Sequence, residues 1–100
     1  MAKARASIKM TNIPVLFMKE GKMFVVYSPA LDLSTCAPTF DEAKKNFHEA
    51  IDLFFLECIK RKTLDRALES LGWQRSGSES WQPPLVVGHD TLPVSVPTSA

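Results

Sequence analysis

No apolar run in this sequence approaches the roughly 20 residues needed to cross a bilayer. The opening stretch, Met1 to Ile8, carries Lys3 and Arg5 but lacks the long apolar core of a signal peptide. Net charge is almost absent, with 12 Lys and Arg against 11 Asp and Glu. So balanced a chain has no strong electrostatic footprint for nucleic acid or a membrane surface. Cysteine is scarce as well. Cys36 and Cys58 lack, together with His48 and His89, the paired close spacing of a structural zinc site. Without a span or a leader the chain reads as cytoplasmic, and the two thiols fit that compartment as reduced, buried small hydrophobes, with a disulfide between them as the alternative. No internal repeat is visible, and 100 residues leave room for one domain.

What is present is a concentrated β-hairpin signal followed by a helix. Ile13 to Met18 and Met23 to Tyr27 flank Glu20-Gly21, and glycine supplies the positive φ that a tight hairpin turn demands. With Glu20 and Gly21 as the loop, Lys19 faces Lys22, Phe17 faces Phe24 and Val15 faces Val26. Leu16, Met18, Met23, Val25 and Tyr27 then share the other face, with Pro14 opposite Tyr27. Both faces are apolar. Ser28-Pro29 interrupts the second strand, because proline cannot donate to the ladder. Leu31 to Cys36 resumes as a third strand, which Pro38 ends.

Thr39-Phe40-Asp41-Glu42 has the form of a capping box, and its acids complement the positive end of a helix. Phe40, Ala43, Phe47, Ala50, Ile51, Phe54 and Cys58 follow at three- and four-residue steps, one stripe on a helix of about five turns. Leu53, Phe55, Leu56 and Ile59 widen the stripe beyond what one sheet face needs. Lys60-Arg61-Lys62 closes the helix. A second helix spans Leu64 to Leu71, with Thr63 as its cap and Gly72 as its stop. Beyond Trp73, Gln74 to Ser80 reads as a loop, Trp81-Gln82-Pro83-Pro84 as a stiff extended piece, and Leu85–Val87 and Leu92–Val96 as candidate short strands. The expected fold is α+β: a three-stranded antiparallel sheet with one long helix packed on one face, a short second helix and an extra strand near the C-terminus.

One helix cannot cover a sheet that is apolar on both sides, and an uncovered apolar face usually meets a partner. The ordered part, about 60 residues, is also marginal as a lone domain. The sequence therefore predicts a dimer or higher oligomer, with Leu16, Met18, Met23, Val25, Tyr27, Leu53 and Leu56 as the oligomer or partner surface.

Taken in order, Tyr27-Ser28-Pro29-Ala30-Leu31-Asp32-Leu33-Ser34-Thr35, then Thr39-Phe40-Asp41-Glu42-Ala43-Lys44-Lys45-Asn46, then Ala50-Ile51-Asp52-Leu53-Phe54 resembles the HicB-like antitoxin family. The likeness runs from about Ile13 to Trp73. It implies a β-β-β-α core, a truncated ribonuclease H-like fold, and in many members the binding of a small mRNA-cleaving toxin, HicA. Leu33-Ser34 and Cys36-Ala37-Pro38 depart from the family pattern, which carries glycines there. Many members also add a DNA-binding domain. The segment 74–100 is too polar and proline-rich for one, which argues against operator binding. This divides the chain into an arm at 1–12, a HicB-like core at 13–73 and a proline- and serine-rich segment at 74–100.

Catalytic chemistry finds little footing. A ribonuclease H site needs several carboxylates converging on two metal ions. The early strands offer only Glu20, in the turn, and Asp32, after the proline. Asp41 and Glu42 are helix-start charges, and Ser76, Ser78 and Ser80 have no partner base. The expectation is a protein that is no enzyme and takes no cofactor or metal. Glu20, Asp32, Asp41 and Glu42 serve instead as candidate acidic contacts to a basic toxin. Trp73 and Trp81 read as apolar anchors rather than base-stacking platforms. Two alternatives stand beside the antitoxin: a stand-alone homo-oligomer without a toxin, and a weak nucleic-acid binder using Lys3, Arg5, Lys9 and Lys60-Arg61-Lys62.

Overall fold

The residue that reverses the chain is Gly21, at φ 59°, followed by Lys22, which keeps a negative φ. Glycine at the first of two loop positions fits a type II′ hairpin. The loop is therefore Gly21-Lys22, not Glu20-Gly21, and Glu20 pairs with Met23, Lys19 with Phe24, Met18 with Val25, Phe17 with Val26 and Leu16 with Tyr27. The register is displaced by two residues, an even number, so the two faces keep the membership expected of them. Lys19 does not meet Lys22; its ammonium lies 5.2 Å from the centre of the Phe24 ring.

The computed structural model describes residues 11–77 and 80–99. Lys3, Arg5 and Lys9 of the proposed basic arm, and Ser78, lie outside them. The elements run β1 (Leu16–Glu20), β2 (Met23–Ser28), β3 (Leu33–Ala37), α1 (Phe40–Lys60), α2 (Leu64–Ser70), β4 (Gln74–Ser76) and β5 (Ser80–Gln82). The first three strands form an antiparallel sheet in the order β1-β2-β3. β1 begins later than expected: Ile13 to Val15 lie outside the ladder yet still pack into the core. β3 begins at Leu33 rather than Leu31. Asp32 bends the chain there with a φ of 51°, and Leu31 leaves the sheet to be buried in a second core.

Thr39 caps α1 as its sequence demands. Its hydroxyl oxygen accepts the Glu42 amide at 3.2 Å and donates to the Glu42 carboxylate at 2.9 Å. At the other end Lys62 takes a left-handed φ of 58°. Its amide donates to the Ile59 carbonyl and that of Thr63 to Cys58, both bonds of a Schellman stop with lysine where glycine is usual. α2 ends the same way on Gly72, with the Trp73 amide on the Leu68 carbonyl. Thr63 precedes α2 without capping it; its hydroxyl turns back to the Cys58 carbonyl.

α1 lies over β2 and β3. Phe47 and Ala43 are buried against Val26 and Ala37, with Ile13, Val15, Phe24, Leu33 and Ile51 around them. Because the helix sits off β1, Phe17 and Phe40 do not join this core, although strand alternation and the helix stripe put both on the covered side. They stack on each other at 4.9 Å and stay 47% and 41% exposed. Phe54 and Phe55 belong to the second core, built on Ala30, Leu31, Leu68 and Trp73. There the Trp73 indole donates to the Ala30 carbonyl at 2.7 Å, which ties α2 to the proline turn. Ser28, fully buried, ties the proline turn to the segment before β1: it donates to the Pro14 carbonyl at 2.7 Å and accepts the Ala30 amide.

The expected loop at 74–80 is a hairpin instead. Arg75 holds it, pairing with Asp65 of α2 at 2.7 Å and lying over the Trp81 ring. The strands expected at Leu85–Val87 and Leu92–Val96 do not form. Residues 83–99 belong to no helix or ladder, and from Leu85 on they are exposed.

Candidate partner-binding surface

The side of the sheet away from α1 is built from alternate residues of three strands. β-strand alternation and the pairing place them in rows: Leu16, Tyr27 and Ser34; then Met18, Val25 and Cys36; then Glu20 and Met23. The rows cover roughly 10 by 14 Å at ordinary strand spacings. Leu16, Met18 and Met23 are 43%, 44% and 37% exposed, and Val25 and Tyr27 are half-buried. No element packs over them among the described residues. Two methionines give the patch side chains that adapt to irregular shapes, a property of promiscuous binding surfaces. All five sheet residues named from the sequence thus meet on one face.

Acidic groups flank this face at both ends. Glu20 stands beside Met23 at the hairpin turn, on the same side of the strand as Leu16 and Met18. Asp32 lies at the far end, where its carboxylate accepts the Tyr27 hydroxyl at 3.1 Å. That hydrogen bond, aided by partial desolvation and by the carboxylate's charge, pushes the Tyr27 phenol above its ordinary pKa. The phenol is held neutral and aimed at one end of the patch.

The structure separates the other named residues from this face. Leu53 and Leu56 are 60% and 59% exposed on α1. Their helical positions point away from the stripe that Ala43 and Phe47 bury, so they form a second patch on the opposite side of the layer. Asp41 and Glu42 sit in the first turn of α1, on the helix side of the sheet. Glu42 is engaged by Thr39. Of the four acidic candidates, only Glu20 and Asp32 border the free sheet face.

Chemistry-bearing groups do not converge elsewhere. Among the described residues no three His, Cys, Asp or Glu side chains gather in reach of one metal ion. His48 and His89 are exposed, and both cysteines are free thiols, with Cys36 exposed on the free sheet face rather than buried. Of the Lys60-Arg61-Lys62 cluster, Arg61 pairs with Glu57 at 3.3 Å. Among the described residues no helix is long and apolar enough to cross a membrane. Sequence reasoning missed Ser28. Its signal was a serine directly before the turn proline, at a covered-face position. The exposed Phe17–Phe40 pair also escaped, because the sideways offset of α1 has no local signature.

No protein-family model, curated protein or solved structure matches the chain.

Proposed function

We infer that this protein is an antitoxin of the HicB-like kind, which binds and silences a small basic mRNA-cleaving ribonuclease in the cytoplasm and does no chemistry itself. The observation that carries the reading is the uncovered apolar face of Leu16, Met18, Met23, Val25 and Tyr27, bordered by Glu20 and Asp32. Inhibition by burial asks for shape, an apolar centre and a few complementary charges at the rim. The face offers all three, and carboxylates at its ends suit a basic partner. The resemblance of the proline turn and capped helix to the HicB-like pattern supports the same reading.

The test is co-expression with the product of the adjacent gene. The expected outcome is that the neighbour, a small basic protein, arrests growth alone and that this chain relieves the arrest in a stable complex. A harmless neighbour that forms no complex would leave the homo-oligomer, which one observation favours independently: among the described residues β1 is an unpaired sheet edge with all five residues exposed.

A further inference from the structure

The segment from Leu85 to Val96 keeps its apolar side chains in water. Leu85, Val87, Leu92, Val94 and Val96 are between 74% and 97% exposed, a density of bare aliphatics that a solvated linker does not need. Leu92-Pro93-Val94-Ser95-Val96-Pro97 also alternates with a period of two. In a β-strand alternate residues direct their amides and carbonyls to the same edge. The edge of Leu92, Val94 and Val96 is complete. The opposite edge loses a donor at Pro93 and again at Pro97. The segment is a strand that can pair on one side only.

The same molecule carries an edge of matching length. β1 has five residues, as does Leu92–Val96, and among the described residues it has no neighbour beyond β2. Residues closing a two-residue hairpin loop exchange both hydrogen bonds. Glu20, and with it Met18 and Leu16, therefore direct their backbone groups to β2, and Phe17 and Lys19 direct theirs outward. Exposed apolar side chains flank that edge on both faces, Leu16 and Met18 on one, Phe17 and Phe40 on the other. Natural proteins rarely leave such an edge bare.

We propose that Leu92–Val96 of one copy adds as a fourth strand to the β1 edge of a second copy, so that the protein assembles by exchange of its extended segments. The occupant is a second copy because the segment forms no ladder with its own sheet and stays exposed along its whole length. At about 60–120 Å² per buried side chain, the three aliphatics of each segment and the four apolar side chains beside each edge remove on the order of 800–1,700 Å² from water over the two exchanges. That range brackets the roughly 1,000 Å² of a specific interface. The prolines on the outer edge stop a further strand from joining, which keeps the assembly finite.

The experiment compares Val94→Pro with Ser95→Pro in the full chain by sedimentation equilibrium between about 1 and 100 µM. Neither residue touches the folded core, so both variants keep the unfolding midpoint of the monomer unit. The parent is expected to self-associate, Val94→Pro to weaken association at least about tenfold by removing an amide from the pairing edge, and Ser95→Pro to leave it unchanged. Amide exchange on the parent is expected to show slow Leu92, Val94 and Val96 beside fast Ser95. A monomeric parent at 100 µM, equal association of the parent and Val94→Pro, equal loss in both variants, or slow amides in a monomer folded onto its own sheet would each overturn the proposal. No partner protein is needed, so the result is separate from that of the antitoxin reading.

Discussion

The two faces of one sheet have nearly the same composition and opposite fates. Toward α1, Val26 and Ala37 are buried to within a few per cent, with Phe24 and Leu33 beside them. On the reverse, Met23 of β2 is more than a third exposed and Cys36 is exposed directly beside Ala37, while β1, which α1 does not cover, is exposed on both faces. Hydrophobicity at each position does not separate them; the supply of covering elements does. The chain has one long helix, and its capping box and Pro38 turn lay that helix on the side of Val26. The second helix and the β4–β5 hairpin are drawn away by Trp73 and Arg75 to a core of their own. What remains bare is a consequence of topology, and it is the part available for binding.

The contrast can be broken most forcefully from the covered side. Phe47→Ala empties the centre of the core and is expected to cost about 3–5 kcal/mol in chemical denaturation. A loss below about 1 kcal/mol would mean that this face is no better covered than its reverse. Ser28 shares the covered face. Ser28→Ala strips the Pro14 carbonyl and the Ala30 amide of their partner, for an expected loss of about 1–3 kcal/mol by the same measurement. Met18→Ser, on the free face, is expected to move the unfolding free energy of the monomer unit by no more than about 0.5 kcal/mol. A drop comparable to that of Ser28→Ala would reveal an unseen cover.

The smallest effect concerns Tyr27, the only tyrosine of the chain, whose phenolate absorbance reports one site. Its titration midpoint is expected above that of a free tyrosine, because the neutral phenol donates to Asp32. A raised folded pKa means that the contribution to stability is present below the ordinary tyrosine pKa and is lost as the pH climbs past the folded value. Asp32→Asn is expected to lower the midpoint, and asparagine tolerates the left-handed φ at that position. An unchanged midpoint would detach Asp32 from the free face.

Much of this contrast was legible in the chain. Alternation sorted the strand residues into two faces correctly, even with the hairpin loop assigned one residue early. A shift by two preserves faces, and glycine serves either loop position with positive φ. Thr39 with Glu42, Pro38 and Gly72 carry signals contained within a few residues, and each lies where it was expected. The second core was not legible, since Trp73 and Ala30 stand 43 residues apart. Nor was the left-handed Lys62, which adopts a conformation that sequence rules give to glycine. The placement of α1 over β2 and β3 leaves Phe17 and Phe40 bare, and it depends on side-chain fit between elements. The candidate surface was legible on the sheet. Leu53 and Leu56 are exposed on α1, as the widened helix stripe reads. That Asp41 and Glu42 lie on the helix side of the sheet was not legible, because sequence distance does not reveal which side of a layer a helix takes.

The central claim is that the free sheet face serves binding and not folding. The double variant Met18→Lys, Met23→Lys puts two charges on that face and tests the claim in one preparation. Its unfolding free energy and its complex with the adjacent gene's product are measured side by side with the parent. The account predicts stability within about 0.5 kcal/mol of the parent and a complex that no longer forms. A complex of undiminished affinity, or a loss of stability like that of Phe47→Ala, would contradict it.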